Sequence, residues 1–269
     1  MDTGACPTLL VRRDGGVLHV TLNRAEQRNA MSLQMVSELC AVLAQAEAAG
    51  EVRAVVLRGA GGHFCAGADL QDMAQARQRE VAGEADAIAD ANARFGRLCE
   101  RFARTGIATI AVLEGTVMGG GLGLACVVDV ALAGQGAQFR LPETALGVVP
   151  AQIAPFLVER LGASQARRLA VTGGKLSAAQ ALEVGLVHEV HEDGAALDAA
   201  LAATLVQILR CAPAAVAATK ALMARALHTP SSELIADAAA VFAGAARGAE
   251  GMEGTAAFLQ KRSPSWVPQ

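Results

Sequence analysis

No C-x-x-C spacing joins any of the six cysteines, which stand apart at 6, 40, 65, 99, 126 and 211. That removes the common zinc and dithiol signatures and reads as buried free thiols in a reducing compartment. Hydrophobic residues make up 53% of the chain, yet much of that share is alanine and no uninterrupted apolar run is long enough to span a bilayer. A basic field is missing too. The net charge is −3, and the arginines of "RQRE" and "RFGRLCERFAR" are offset by acids, so nucleic acid is a poor partner. The opening "MDTGACPTLLVRRDGG" carries an acid and lacks a long apolar segment, which argues against a secretory signal. Neither a G-x-S-x-G elbow nor a P-loop occurs. "HEVHE" (188–192) falls on an expected strand, where His188 and His191 point to opposite faces, so no metal site is expected there. What remains is a cytoplasmic, soluble chain of 269 residues, with neither membrane nor nucleic-acid partners expected.

The patterning that is present alternates strand, glycine turn and helix. "GVLHVTLN" puts Leu18, Val20 and Leu22 on one face of a strand and His19 and Thr21 on the other. Ser32 is placed to cap a helix in which Leu33, Val36, Leu39, Cys40 and Leu43 recur at helical spacing, with Gly50 as its stop. "RAVVLRGAGG" is a strand entering a glycine turn, and Asp69 begins one long polar helical stretch to about Thr105. "IATIAVLEG" and "VVDVALAG" are further strands on either side of "VMGGGLGLACVVD" (117–129), and "AQFRLPETALGVVP" reads as irregular. Ser177 and Gln180 form a capping box for a short helix ended by Gly185. Beyond it the chain is helix-forming to about Leu259, with breaks at Pro213 and Pro230. The expectation is an α/β fold with largely parallel strands, a soft boundary near 195, and C-terminal helices that pack on neighbours.

Two glycine turns, "CAGAD" (65–69) and "MGGGLG" (118–123), each lie between an apolar strand and a helix. Unpaired N–H groups at such turns can converge on an oxyanion; equally, the glycines can serve tight strand–helix packing. The spacing of the second turn does not make G-x-G-x-x-G. Glu143, held behind Pro142, is either a base tuned by apolar surroundings or a solvated loop residue. Cys65 is expected to be a packed side chain rather than a nucleophile, and His63 to be exposed.

Taken in order, "LNRAEQRNAMS", "AVVLRGAGGHFCAGADL", "AVLEGTVMGGGLGLACVVDVALA", "AQFRLPETALGVVP", "TGGKLSAAQALEVGLVHEV" and "TAAFLQKRSPSW" resemble the enoyl-CoA hydratase/isomerase (crotonase) family across nearly the whole chain. The resemblance implies an α/β spiral of ββα units (1–195) carrying the CoA and catalytic site, followed by a helical trimerisation region (196–269). It implies trimers or dimers of trimers and an acyl-CoA substrate, coenzyme A being part of the substrate and no separate cofactor being needed. It places the oxyanion donors on the backbone N–H groups of Ala68 and Gly120. Ala66, Gly67, Ala68, Asp69 and Leu70 would line the CoA path together with Arg24, and Phe258 and Lys261 would reach a neighbour's CoA.

Of the two glutamates of family hydratases, one matches Glu143 and the other falls on Gly123. "GVVPAQIAPFLVERLG" is similar to a branch that acts on glutaconyl-type CoA esters, with Pro150, Ala151, Ile153 and Pro155 carrying the match. The reading is hydration of a 3-branched glutaconyl-CoA in acyclic terpene or leucine breakdown, isohexenylglutaconyl-CoA ahead of 3-methylglutaconyl-CoA. A Δ3,Δ2-enoyl-CoA isomerase, a decarboxylase of the same esters and an RNA-binding relative are the alternatives. A bare position 123 would remove a charge that repels the substrate's carboxylate and leave room for the branch. Arg140 or Gln152 would receive that carboxylate, unless Arg140 is simply a surface residue. Met73, Leu146, Phe156, Phe258 and Trp266 are expected pocket walls.

Overall fold

The structure is a computed structural model, described over residues 6–268. The elements in chain order are strands β1 (Leu9–Asp14) and β2 (Val17–Leu22), helix α1 (Leu33–Ala49), β3 (Ala54–Gly59), α2 (Leu70–Val81) and α3 (Ala87–Arg104). Then come β4 (Ala108–Leu113), β5 (Thr116–Met118), α4 (Gly120–Val127), β6 (Val130–Gly134), β7 (Gln138–Arg140), α5 (Ala154–Val171), β8 (Lys175–Ser177), α6 (Ala178–Glu183) and β9 (Glu189–His191). Four helices close the chain: α7 (Gly194–Arg210), α8 (Pro213–Ala226), α9 (Ser231–Arg247) and α10 (Ala249–Leu259).

A six-stranded sheet in the order β1-β2-β3-β4-β6-β9 carries the core. β1 and β2 pair antiparallel and every later neighbour is parallel. β3 and β4 read as apolar runs because helices cover the parallel sheet on both faces. α1, α3 and α4 pack on one side with Leu57, Leu98 and Leu113 among their contacts, and α7 packs on the other through Leu197 and Leu201. A second sheet, β5-β7-β8, stands beside it and feeds the site.

Local signals hold where they were expected. Ser32 Oγ accepts the N–H of Met35, and Gly50 ends α1 in a left-handed conformation. Replacing Ser32 with alanine should cost about 1 kcal/mol of stability, read as a lowered denaturation midpoint with an unchanged slope. The Ser177–Gln180 capping box forms in both directions. The expected single helix from Asp69 to Thr105 is instead two, α2 and α3, folded back at a turn in which Gly83 and Asp86 take φ of +97° and +60°. Asp69 and Thr105 are nonetheless the outer caps of that pair. The segment expected to be irregular contains β7 and a 3-10 turn, Glu143–Leu146.

The thiols are more varied than expected. Cys65 and Cys99 are buried, while Cys211 is exposed and Cys6, Cys40 and Cys126 lie between. α8 and α9 bury no residue within this chain; Met223, Ile235 and Phe242 stay exposed on them, and Leu227 is exposed just beyond α8. Among the described residues no single helix is long and apolar enough to cross a membrane.

Candidate active site

The site forms where two stretches of backbone run side by side. After β3 the chain turns on glycines and continues through 64–68. The N–H groups of Phe64 and Cys65 donate to the carbonyls of Glu114 and Thr116 at 2.9 and 3.0 Å, and Met118 N–H donates to Cys65 O at 2.9 Å. This pairing brings Gly67 against Gly119. A Cβ on Gly119 would lie 3.6 Å from Gly67 Cα, and one on Gly67 would lie 3.3 Å from the Met118 carbonyl oxygen. Both glycines also take positive φ, +100° and +49°, which an L side chain would resist.

The next residue in each turn carries a free donor. The N–H groups of Ala68 and Gly120 have no acceptor among the described residues. Gly120 opens α4, so its N–H belongs to the unpaired, positive end of that helix. Two unpaired donors on touching turns are able to receive an oxyanion, and such a donor is worth about 3 to 4 kcal/mol in a transition state.

Close packing accounts for the rest of the glycine run. A Cβ on Gly121 would lie 2.7 Å from Cys65 Cβ and 2.8 Å from its carbonyl oxygen, so α4 sits on the backbone of the first turn. A Cβ on Gly120 would lie 3.2 Å from the ring of Phe95. At Gly123 the space of a side chain is already taken: Ile153 Cγ2 occupies it, with Ile153 Cβ at 3.2 Å and Phe95 Cζ at 3.5 Å from the Cβ position. The room expected at position 123 is therefore absent, because Ile153, 3% exposed, fills it.

Glu143 begins the 3-10 turn that follows β7. Its Oε1 lies 3.1 Å from the place of a Cβ on Gly119, and Gly119 N–H donates to the carbonyl of Arg140 at 3.0 Å. The carboxylate thus shares the Gly67–Gly119 contact point with both turns. Oε2 is buried without a hydrogen-bond partner among the described residues. Burial raises the carboxyl above its ordinary 4.5, and its own main-chain N–H opposes this only in part. A desolvated carboxylate with an unused oxygen is suited to take a proton.

The raised value also has a consequence for stability. The folded state holds the Glu143 proton more tightly than the unfolded chain, so its contribution is full below the unfolded value and is lost as pH rises through the folded one. Glu143→Gln should accordingly melt higher than the parent at neutral pH, with the gap closing as the solution is acidified through the raised folded value toward 4.5. Melting temperatures across pH 3.5 to 8 check this; a gap independent of pH would contradict it.

Other candidates serve the frame. Arg24 Nη2 pairs with Asp69 Oδ2 at 2.6 Å and Nη1 donates to Ala30 O at 2.5 Å. Asp69 also caps α2 by accepting the Gln71 N–H at 2.8 Å. Along 66–70, Ala68 and Leu70 are exposed, Ala66 is half-buried, and Gly67 and Asp69 are buried. Cys65 is fully buried, and burial pushes its thiol up to about 11, as a packed side chain requires. His63 is half-buried rather than exposed, because its Nδ1 accepts the Thr116 N–H at 3.1 Å. His188 Nδ1 accepts from Ala131 N–H at 2.9 Å, while His191 pairs with Glu189.

Gln152 Nε2 donates to Asn92 Oδ1 at 2.8 Å, so its amide is engaged. Arg140 is half-buried rather than on the open surface, and its Nε is buried without a partner among the described residues. Met73 and Leu146 are exposed and Phe156 is half-buried. Trp266 is corrected as a wall of this chain's site. Its indole donates to Arg210 O at 3.0 Å and its carbonyl accepts from Arg53, which precedes β3. The first glycine turn follows the other end of β3, about 20 Å along the strand. Phe258 and Lys261 lie exposed on and just beyond α10, which packs on α9.

Phe95 was not legible as a site residue, since nothing in "RFGRLCERFAR" distinguishes it from the other apolar positions of α3. Asn29 was missed as well; buried with φ of +57°, it donates to Ala60 O and His63 O and pins the first glycine turn.

The chain is similar to known proteins over nearly its whole length. Residues 12–269 match the family described as Enoyl-CoA hydratase/isomerase. The crystal structure of an enoyl-CoA hydratase/isomerase from Marinobacter aquaeolei is similar with a TM-score of 0.94 and 50% identity, covering 98% of this chain and 100% of that one. Pseudomonas aeruginosa AtuE gives 0.93 and 53%, covering 97% and 100%. Among curated relatives, the 2,3-dehydroadipyl-CoA hydratase of Escherichia coli (strain K12) is 32% identical over 259 residues, covering 96% of this chain and 98% of that protein.

Proposed function

The chain belongs to the enoyl-CoA hydratase/isomerase family and is an enzyme of that hydratase type, and from that premise we propose that it adds water across the C2–C3 double bond of a 3-branched glutaconyl-CoA. Isohexenylglutaconyl-CoA is the favoured substrate and 3-methylglutaconyl-CoA the next. The observation that carries this reading is the lone carboxylate: Glu143 stands at the oxyanion turns while an apolar side chain, Ile153, holds the place beside Gly123. The likeness of Pro150, Ala151, Ile153 and Pro155 to the glutaconyl-type branch supports it.

In this mechanism the thioester oxygen accepts the N–H groups of Ala68 and Gly120, which draws electrons from the double bond and leaves C3 electrophilic. Glu143 takes a proton from water as its oxygen bonds to C3. The resulting enolate, held by the same two donors, collapses as Glu143 returns a proton to C2. Coenzyme A travels as part of the substrate, and the scheme calls for no separate cofactor.

A glutaconyl ester brings a carboxylate of its own. A second glutamate about 4 Å from it would repel it by about 4 kcal/mol at an effective dielectric near 20. Ile153 imposes no such charge. Arg140, whose guanidinium has no ion pair among the described residues, is the better receiver of that carboxylate, since Gln152 is already held by Asn92.

One carboxylate also suffices to move a proton between carbons, which keeps the Δ3,Δ2-isomerase as the second reading. Turnover of methylglutaconyl-, isohexenylglutaconyl- and crotonyl-CoA, with a 3-enoyl-CoA as a fourth arm, separates the two. Hydration of the branched glutaconyl esters ahead of crotonyl-CoA is expected; conjugation of the 3-enoyl ester without hydration of the others would overturn the reading. The exposed apolar residues of α8 and α9 support a trimer or a dimer of trimers, in which Phe258 and Lys261 of one copy meet the CoA of another. Light scattering on the purified protein tests this, and a monomer would refute it.

A further inference from the structure

We propose that Phe95 is the specificity-determining wall for the substituent at C3 of the acyl group, and that Ile153, locked onto the bare α-carbon of Gly123, is the residue that positions it. The inference deepens the hydratase reading and rests on it for the identity of the acyl group.

Three distances carry it. The ring of Phe95 lies 3.2 Å from the Cβ position of Gly120, whose N–H is the oxyanion donor, and 3.5 Å from that of Gly123 one turn on. Ile153 crowds the same Gly123 position, with its Cβ at 3.2 Å. Three residues of α-helix advance about 4.5 Å. An acyl group whose carbonyl is held at Gly120 therefore reaches the Gly123 level with its C3 and the substituent on it. Phe95 spans both levels and keeps part of its surface accessible, whereas Ile153 is 3% exposed. Glu143 approaches Gly119, the residue before the Gly120 donor.

The turn that carries Ile153 is anchored independently of the substrate. Gln152 donates to Asn92 of α3 at 2.8 Å, and its side chain occupies the place where a Cβ on Gly96 would go. Asn92, Phe95 and Gly96 form one face of α3 at helical spacing, so the turn and the wall are seated together. Any side chain at 123 would have to displace Ile153. Positions 123 and 153 are thus a mutually exclusive pair, and truncation at 153 lets Phe95 sink toward α4.

The test reads binding rather than turnover. Dissociation constants are measured for two saturated thioesters, butyryl-CoA and 3-methylbutyryl-CoA, which differ by one methyl at C3. Ile153→Ala and Phe95→Leu should each change the ratio of the two constants by about 4- to 10-fold, from the burial worth of one methyl up to the low end of what an apolar pocket discriminates. The lock is read separately by melting: Gly123→Ala should destabilise the parent, and Ile153→Ala should relieve most of that loss in the double variant. A ratio unchanged in both Ile153→Ala and Phe95→Leu, with each variant folded, would overturn the wall. Additive losses in the double variant would overturn the lock. Neither readout needs hydration, so failure of the hydratase reading appears in turnover alone.

Discussion

Glu143→Gln should lower turnover at least a hundredfold while leaving the dissociation constant of a saturated acyl-CoA within about twofold of the parent. The amide is close to the carboxylate in size and can still occupy the place near Gly119, so the oxyanion turns keep their geometry. It cannot take a proton from water. With position 123 bare and Ile153 beside it, no carboxylate stands at 123 to share the work, so the loss should exceed what a site with shared acid–base duty would show. Single-turnover kinetics alongside calorimetric binding measure both quantities. A variant that keeps a tenth or more of parental turnover would remove Glu143 from proton transfer.

Gly121→Val should be nearly as damaging, for a different reason. A Cβ at 121 meets the carbonyl oxygen of Cys65 at 2.8 Å, and that oxygen also accepts the Met118 N–H. Relief requires α4 to move away from the 65–68 backbone, separating the Ala68 and Gly120 donors. A shift of about 1 Å at a reacting centre can cost about a hundredfold, and the overpacking itself about 1 to 3 kcal/mol. The expected result is a folded protein with a lowered melting temperature and kcat reduced by about two orders of magnitude. Because the carbonyl oxygen obstructs as well as the Cys65 Cβ at 2.7 Å, trimming the Cys65 side chain alone should not restore activity. At Gly123 the obstruction is a side chain, so a second substitution can relieve it. Restoration of Gly121→Val by Cys65→Gly would show that the side chain, not the main chain, sets the approach.

These two glycines show how far the sequence could be read. Four glycines within five positions mark a place where bare backbone is required, and Glu143 behind Pro142 marks a constrained carboxylate. Neither pattern says what stands opposite each glycine. Cys65, Phe95 and Ile153 come from segments far apart in sequence, and their convergence is a property of the spiral alone. The same holds for Trp266, expected among the pocket walls. Its partners, Arg53 and Arg210, sit just before β3 and at the last residue of α7.

Caps were legible because their chemistry is local: Ser32 and Ser177 each bond an N–H three residues on. The break between α2 and α3 was not. Alanine-rich polar sequence runs across it unchanged, and it depends on Gly83 and Asp86 adopting left-handed conformations that the fold selects. Asp72 carries the same lesson. It lies within α2, yet its carboxylate accepts the Leu33 N–H at 2.6 Å, capping a helix that begins 39 residues earlier.

The central claim is that two main-chain N–H groups hold the thioester oxygen while one carboxylate manages every proton. The most direct measurement is a crystal structure of the enzyme with a saturated acyl-CoA. The account predicts the thioester oxygen about 2.7 to 3.1 Å from the nitrogens of both Ala68 and Gly120, with a Glu143 oxygen facing C2 and C3. An oxygen bound away from either nitrogen, or a Glu143 carboxylate turned from those carbons, would contradict it.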